Sequence, residues 1–113
     1  MKSTIALLAT VVFLLIFDGC SEKAPSVRVK NERDNKANVQ FKQSDGNTIN
    51  QNDVQPGAYS NFQDISPGII NVAAVMQNDD NADQRFVATN DHNYTIVLVA
   101  GDPFVIRVDE QSK

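Results

Sequence analysis

Few side chains in this sequence are of the kinds that do chemistry, and their spacing limits what they can do. Of the 113 residues, His92 is the sole histidine and Cys20 the sole cysteine. Zinc sites of the usual nitrogen and sulfur kinds need several such ligands together and are excluded. A serine nucleophile needs a histidine base and a carboxylate within reach. Ser60, Ser66 and Ser112 are present, but none sits in the glycine-flanked turn that exposes a nucleophile. His92 therefore reads as a turn residue. Asp79, Asp80, Asn81 and Asp83 cluster oxygens that suit a hard cation such as Ca²⁺. The glycine and distal glutamate of an EF-hand loop are missing, and Arg85 follows, so Asn78 to Asp83 reads as a polar hairpin loop. With 14 acids in the chain, some carboxylate pair is inevitable and gives no support for glycoside chemistry. Tyr59, Phe62 and Tyr94 are candidates to line a ligand surface, although aromatics in strands more often belong to the core. No catalytic residue, metal site or cofactor is expected, and the chain does not read as an enzyme.

The chain has room for one domain. Its net charge is −4, from 14 acids against 10 lysines and arginines, and no basic cluster offers a surface for phosphates. Nucleic acid is accordingly not an expected partner. The only basic bias is Lys23, Arg28, Lys30, Arg33 and Lys36, with Glu22, Glu32 and Asp34 among them. It reads as a solvated face close to a membrane.

The strongest signal is N-terminal. Lys2 precedes the apolar run Ile5 to Phe17, broken only by Thr10, and the chain then continues Asp18-Gly19-Cys20 into the polar stretch Ser21 to Ser26. The run has the length of a signal-peptide core and falls short of the ~18–20 residues a spanning helix needs. A small residue followed by cysteine at this place resembles the lipobox of bacterial lipoproteins. The positions three and two before the cysteine hold Phe17 and Asp18, where that family has an aliphatic and then a small or apolar residue. The resemblance implies cleavage after residue 19 and a diacylglyceryl group on Cys20, with acylation of the new amine in many members. It also implies an outer-membrane destination in a two-membrane cell, since Ser21 rather than an aspartate follows the cysteine. More than one acyl chain is what stable anchoring requires. Residues 1–19 are thus expected to be a lipoprotein signal peptide and 20–26 a lipidated tether that Pro25 keeps extended.

From Val27 onward apolar and polar residues alternate, and turn signals recur about every eight to twelve residues. Strands are expected at Val27–Asn31, Asn38–Gln43, Tyr59–Ile65, Ile69–Gln77, Arg85–Thr89, Tyr94–Ala100 and Phe104–Asp109. Thr48–Val54 is ambiguous between edge strand and loop. Asp45-Gly46, Pro56-Gly57, Pro67-Gly68 and Gly101-Asp102-Pro103 mark turns. Ile69–Gln77 is apolar on both faces and should lie centrally in a sheet, and Tyr94–Ala100 should be buried on both faces. About seven strands and no helical periodicity predict an all-β fold, an antiparallel β-sandwich with immunoglobulin-like proportions over 27–109, followed by a frayed tail at 110–113. One cysteine allows no internal disulfide, so the core must be aliphatic: Val27, Val29, Val39, Phe41, Ile70, Val72, Phe86, Ile96, Leu98, Ile106 and Val108.

Several segments together resemble the DUF 4397 domain family: the opening Val27-Arg28-Val29-Lys30-Asn31, the strand around Val39, Pro67-Gly68 leading into Ile70-Asn71-Val72, and Tyr94 to Gly101. The resemblance spans Val27 to about Val108. It implies an exported bacterial β-sandwich, often on a lipoprotein or cell-surface protein, and brings no catalytic residues. The function expected is that of a membrane-anchored envelope module that binds a protein or glycan by a sheet edge or loop tip. A structural or accessory subunit of a surface assembly is the other expectation.

Overall fold

The computed structural model describes residues 22–113, so the signal peptide, Cys20 and Ser21 lie outside the described residues. The strands are β1 (Ser26–Asn31), β2 (Ala37–Lys42), β3 (Thr48–Val54), β4 (Gln63–Asp64), β5 (Gly68–Met76), β6 (Asn81–Ala88), β7 (His92–Leu98) and β8 (Ile106–Ser112). They form two four-stranded sheets, in the orders β4-β1-β7-β8 (the first sheet) and β3-β2-β5-β6 (the second). The expected all-β sandwich is therefore present. One pair departs from the antiparallel scheme: β1 runs parallel to β7, from Ser26 opposite Asn93 to Asn31 opposite Leu98.

Alternation builds the core. Val27 and Val29 of β1, Val39 and Phe41 of β2, Ile70 and Val72 of β5, and Ile96 and Leu98 of β7 are all fully enclosed. Successive strand side chains point to opposite faces, so each strand contributes every second residue. Phe86 and Val108, expected in the core, are partly buried at its margin. Met76, Ala74, Val54 and Ile65 complete it. Truncating a central member such as Ile96 to alanine should cost about 2–5 kcal/mol.

Two hairpins share one turn geometry. In β2–β3 the Gln43 N–H donates to Asn47 O at 2.9 Å and Gly46 N–H to Gln43 O at 3.0 Å. In β5–β6 the Met76 N–H donates to Asp80 O at 2.8 Å and Asp79 N–H to Met76 O at 2.9 Å. Both are three-residue loops whose last residue takes a left-handed conformation, Gly46 at φ 90° and Asp79 at φ 70°. Gly68 is also left-handed, at φ 120°, and a Cβ there would meet Ser44 Oγ at 2.8 Å.

Several boundaries differ from the sequence expectation. Thr48–Val54 is a full edge strand with a register shift opposite Ala37–Val39. Tyr59–Ile65 shortens to Gln63–Asp64 plus a single bridge from Tyr59 to Lys30. The preceding residues are instead held by side chains: Val29 N–H donates to Ser60 Oγ, which donates to Gln51 Oε1 at 2.5 Å, and Gln51 Nε2 donates to Asn61 O at 3.0 Å. The β6 strand begins at Asn81, so the polar loop contracts to Gln77–Asp80. The C-terminal residues, expected to fray, pair with β7 up to Ser112 opposite His92. Residues 22–26, expected as tether, lie on the domain: Pro25 is fully buried and Ser26 opens β1.

Candidate functional site

The outer faces of the two sheets are built differently. On the first sheet, Arg28, Lys30, Thr95, Val97, Arg107 and Asp109 point away from the core by alternation. Yet Thr95 is 8% exposed and Val97 2%. Part of the cover comes from the 58–62 segment, whose aromatic rings lie on the cations of β1. The Arg28 guanidinium sits 4.3 Å from the Tyr59 ring and 4.6 Å from the Phe62 ring, and Lys30 Nζ lies 4.5 Å from Tyr59. Arg28 Nε also donates to Thr95 Oγ1 at 3.0 Å. On β8 the side-chain hydrogen bond to Asp109, with its charge, holds the Arg107 guanidinium above its usual value.

Among the described residues, no such cover lies on the outer face of the second sheet. The strand registers set its side chains in rows. Lys42 stands opposite Asn71, and Asn71 opposite Arg85; Asn50 stands opposite Gln40, Gln40 opposite Ala73, and Ala73 opposite Asp83. Ala73 is the short side chain among these, and around it opens a depression of about 580 Å³ lined by Gln40, Lys42, Asn71, Asp83 and Arg85. A second hollow, about 270 Å³, continues beside it along Asn38, Asn50, Asn52 and Val75. Among the described residues, Gln40, Lys42, Asn71, Asp83 and Arg85 all stand exposed, and none of the charged ones belongs to an ion pair. Amides, one carboxylate and two cations are thus presented at the spacing of a sheet, roughly 5 Å across strands and 7 Å along them. Such a lattice offers donors and acceptors together and suits a polyhydroxylated ligand. At one margin the cross-strand pair Ile69 and Val87 is 48% and 64% exposed.

This face was not singled out from sequence. The central place in a sheet expected for Ile69–Gln77 is observed, since β5 lies between β2 and β6. Yet Ile69, Asn71 and Val75 are exposed, because no described residue packs on that side.

The residues weighed for chemistry do not assemble into one centre. His92 opens β7 instead of lying in the turn. Its Nδ1 donates to Asn90 O at 2.9 Å and its Nε2 lies 3.5 Å from Glu110. Ser112 is its cross-strand neighbour, and Nδ1 is already engaged by Asn90 O. Ser60 is committed to the Gln51 bridge, and Ser66 Oγ donates to Asp45 at 3.3 Å. The acidic run is split: Asp80 pairs with Arg33 at 3.5 Å, whereas Asp83 points outward from β6. Among the described residues no three His, Cys, Asp or Glu side chains gather to hold a metal. Tyr94 is a core residue, 2% exposed, with its hydroxyl accepting Thr89 N–H at 2.8 Å. Tyr59 and Phe62 are surface residues, 55% and 42% exposed.

The basic residues do not form one face. Lys23 lies at the end where β1 starts, Arg28 and Lys30 lie on the outer face of the first sheet, and Arg33 lies at the opposite end. There Arg33 donates to Val99 O and Gly101 O, both at 2.8 Å, and stacks 4.3 Å from the Phe104 ring. With its ion pair to Asp80 it ties the β1–β2, β5–β6 and β7–β8 loops together. Asn31, fully buried, supports the same end: its Nδ2 donates to Asn35 O and Val54 O, and its Oδ1 accepts Arg33 N–H. Sequence reasoning missed this amide, because a strand-terminal asparagine carries no sign of burial.

No family model matches the chain, and no curated protein sequence does.

Proposed function

We propose that this chain is an envelope lipoprotein, anchored through lipid on Cys20, whose sandwich serves as a binding module for a glycan on the open face of the second sheet. The observation that carries this reading is the hollow over Ala73, ringed by Gln40, Lys42, Asn71, Asp83 and Arg85. Mixed donors and acceptors with nearly balanced charge favour hydroxyls over phosphates. The anchor reading rests on the signal-like run ending in Gly19-Cys20. The membrane is then the first partner and an envelope glycan the second, with no cofactor and no turnover. In a two-membrane cell Ser21 favours the outer membrane.

Two measurements test it. The intact mass of membrane-extracted protein, beside a Cys20→Ser variant, should equal Cys20–Lys113 plus its acyl chains and lose them in the variant; an unmodified chain starting at Met1 would overturn the anchor. Electrophoresis through native gels cast with soluble polysaccharides should slow the protein in at least one of them; unchanged mobility in all would overturn the glycan.

A second reading, as accessory subunit of a surface assembly, draws on the exposed Ile69–Val87 pair, an apolar margin suited to a protein contact. A constant ratio to one complex on native gels, lost in an Ile69→Ser and Val87→Ser double variant, would favour it.

A further inference from the structure

The N-terminal segment leaves almost no slack between the proposed lipid and the folded domain. Asn90 Nδ2 donates to the Glu22 carboxylate at 2.8 Å. Lys23 N–H donates to Asp91 Oδ1 at 2.9 Å, and Lys23 O accepts Asp91 N–H at 2.8 Å. Pro25 is enclosed, and its carbonyl accepts Ile65 N–H at 2.9 Å. Lys113 closes the same end, with its N–H on Asp91 O and its ammonium on Ala24 O and Ser26 Oγ. The chain is therefore held from Glu22 onward, and only Ser21 separates that residue from Cys20.

We infer that the sandwich stands end-on against lipid headgroups, with the end that carries Glu22, Lys23, Asn90, Asp91 and Lys113 facing the membrane. This rests on the anchor reading above. Two residue steps reach about 7 Å at full extension. The strands that separate this end from the Arg33 end are about 23 Å long, as for the seven residues of β7. So short a link cannot bring the Arg33 end to the surface. Charge adds little, because Lys23 and Lys113 are balanced by Glu22 and Asp91; the attachment point sets the orientation. It follows that the open face of the second sheet stands along the membrane normal, free to meet a polymer that runs beside the bilayer. The loops tied by Arg33 point outward.

The test uses the lipidated, membrane-extracted protein in vesicles of phosphatidylethanolamine and phosphatidylglycerol that carry a headgroup-linked quencher. With Cys20 acylated, one introduced cysteine can be labelled with a fluorophore, as Ser112→Cys at the inner end or Asp34→Cys at the outer end. Quenching should be several-fold stronger at 112 than at 34. A long Gly-Ser insertion between Ser21 and Glu22 should abolish most of that difference. Equal quenching, or stronger quenching at 34, in protein whose mass shows the acyl chains would overturn the orientation and leave the anchor standing. A mass without acyl chains would overturn both.

Discussion

The outer face of the first sheet is partly roofed by the chain itself, and that of the second is open among the described residues. The roof has a specific origin. The Ser60–Gln51 bridge fixes residues 59–62 beside β1, so that Tyr59 and Phe62 lie on the Arg28 guanidinium, whose Nε reaches Thr95 of the buried strand β7. On the second sheet β5 holds the corresponding interior place, but no described segment packs on its outward residues. Side chains on the covered face contact one another, whereas Gln40, Lys42, Asn71, Asp83 and Arg85 on the open face stand exposed.

This difference can be broken from the covered side. Ser60→Ala removes the partner of Val29 N–H and of Gln51 Oε1, and the loss should be about 1–3 kcal/mol in denaturant unfolding. Asn31→Ala should cost a similar amount, since two carbonyls and Arg33 N–H lose their partner in the interior. Arg28→Ala should cost less, about 1–2 kcal/mol, from the lost stacking and the Thr95 hydrogen bond. The open side should be insensitive. Gln40→Ala and Asn71→Ala should stay within about 0.5 kcal/mol of the parent in the same assay. A large loss there would mean that this face, too, is structural.

The contrast also shows what sequence could and could not deliver. Two hairpins with the same hydrogen bonding were not equally legible: Asp45-Gly46 announced its turn because glycine takes positive φ freely, while Asp79 accepts the same strain without a glycine to mark it. Alternation located Val27, Val39, Ile70 and Ile96 in the core. It could not tell that Ile69 and Val75 on the other side of β5 face solvent, since that depends on whether a distant segment folds over them. For the same reason Tyr59–Ile65 read as a strand, when most of it is a side-chain-held cover. The parallel pairing of β1 with β7 joins residues far apart in sequence and leaves no local mark. The ring around Ala73 draws on β2, β5 and β6, and becomes visible only once the registers are known.

The claim that the open face is the binding surface has a direct test in Ala73→Arg. The new side chain would project into the hollow and stand opposite Asp83, its cross-strand partner, so the fold should tolerate it. Gel mobility in a retarding polysaccharide should return to the unretarded value in this variant, with its unfolding midpoint unchanged, while Arg28→Ala on the covered face stays retarded. Retardation of the stably folded Ala73→Arg protein equal to that of the parent would contradict the account.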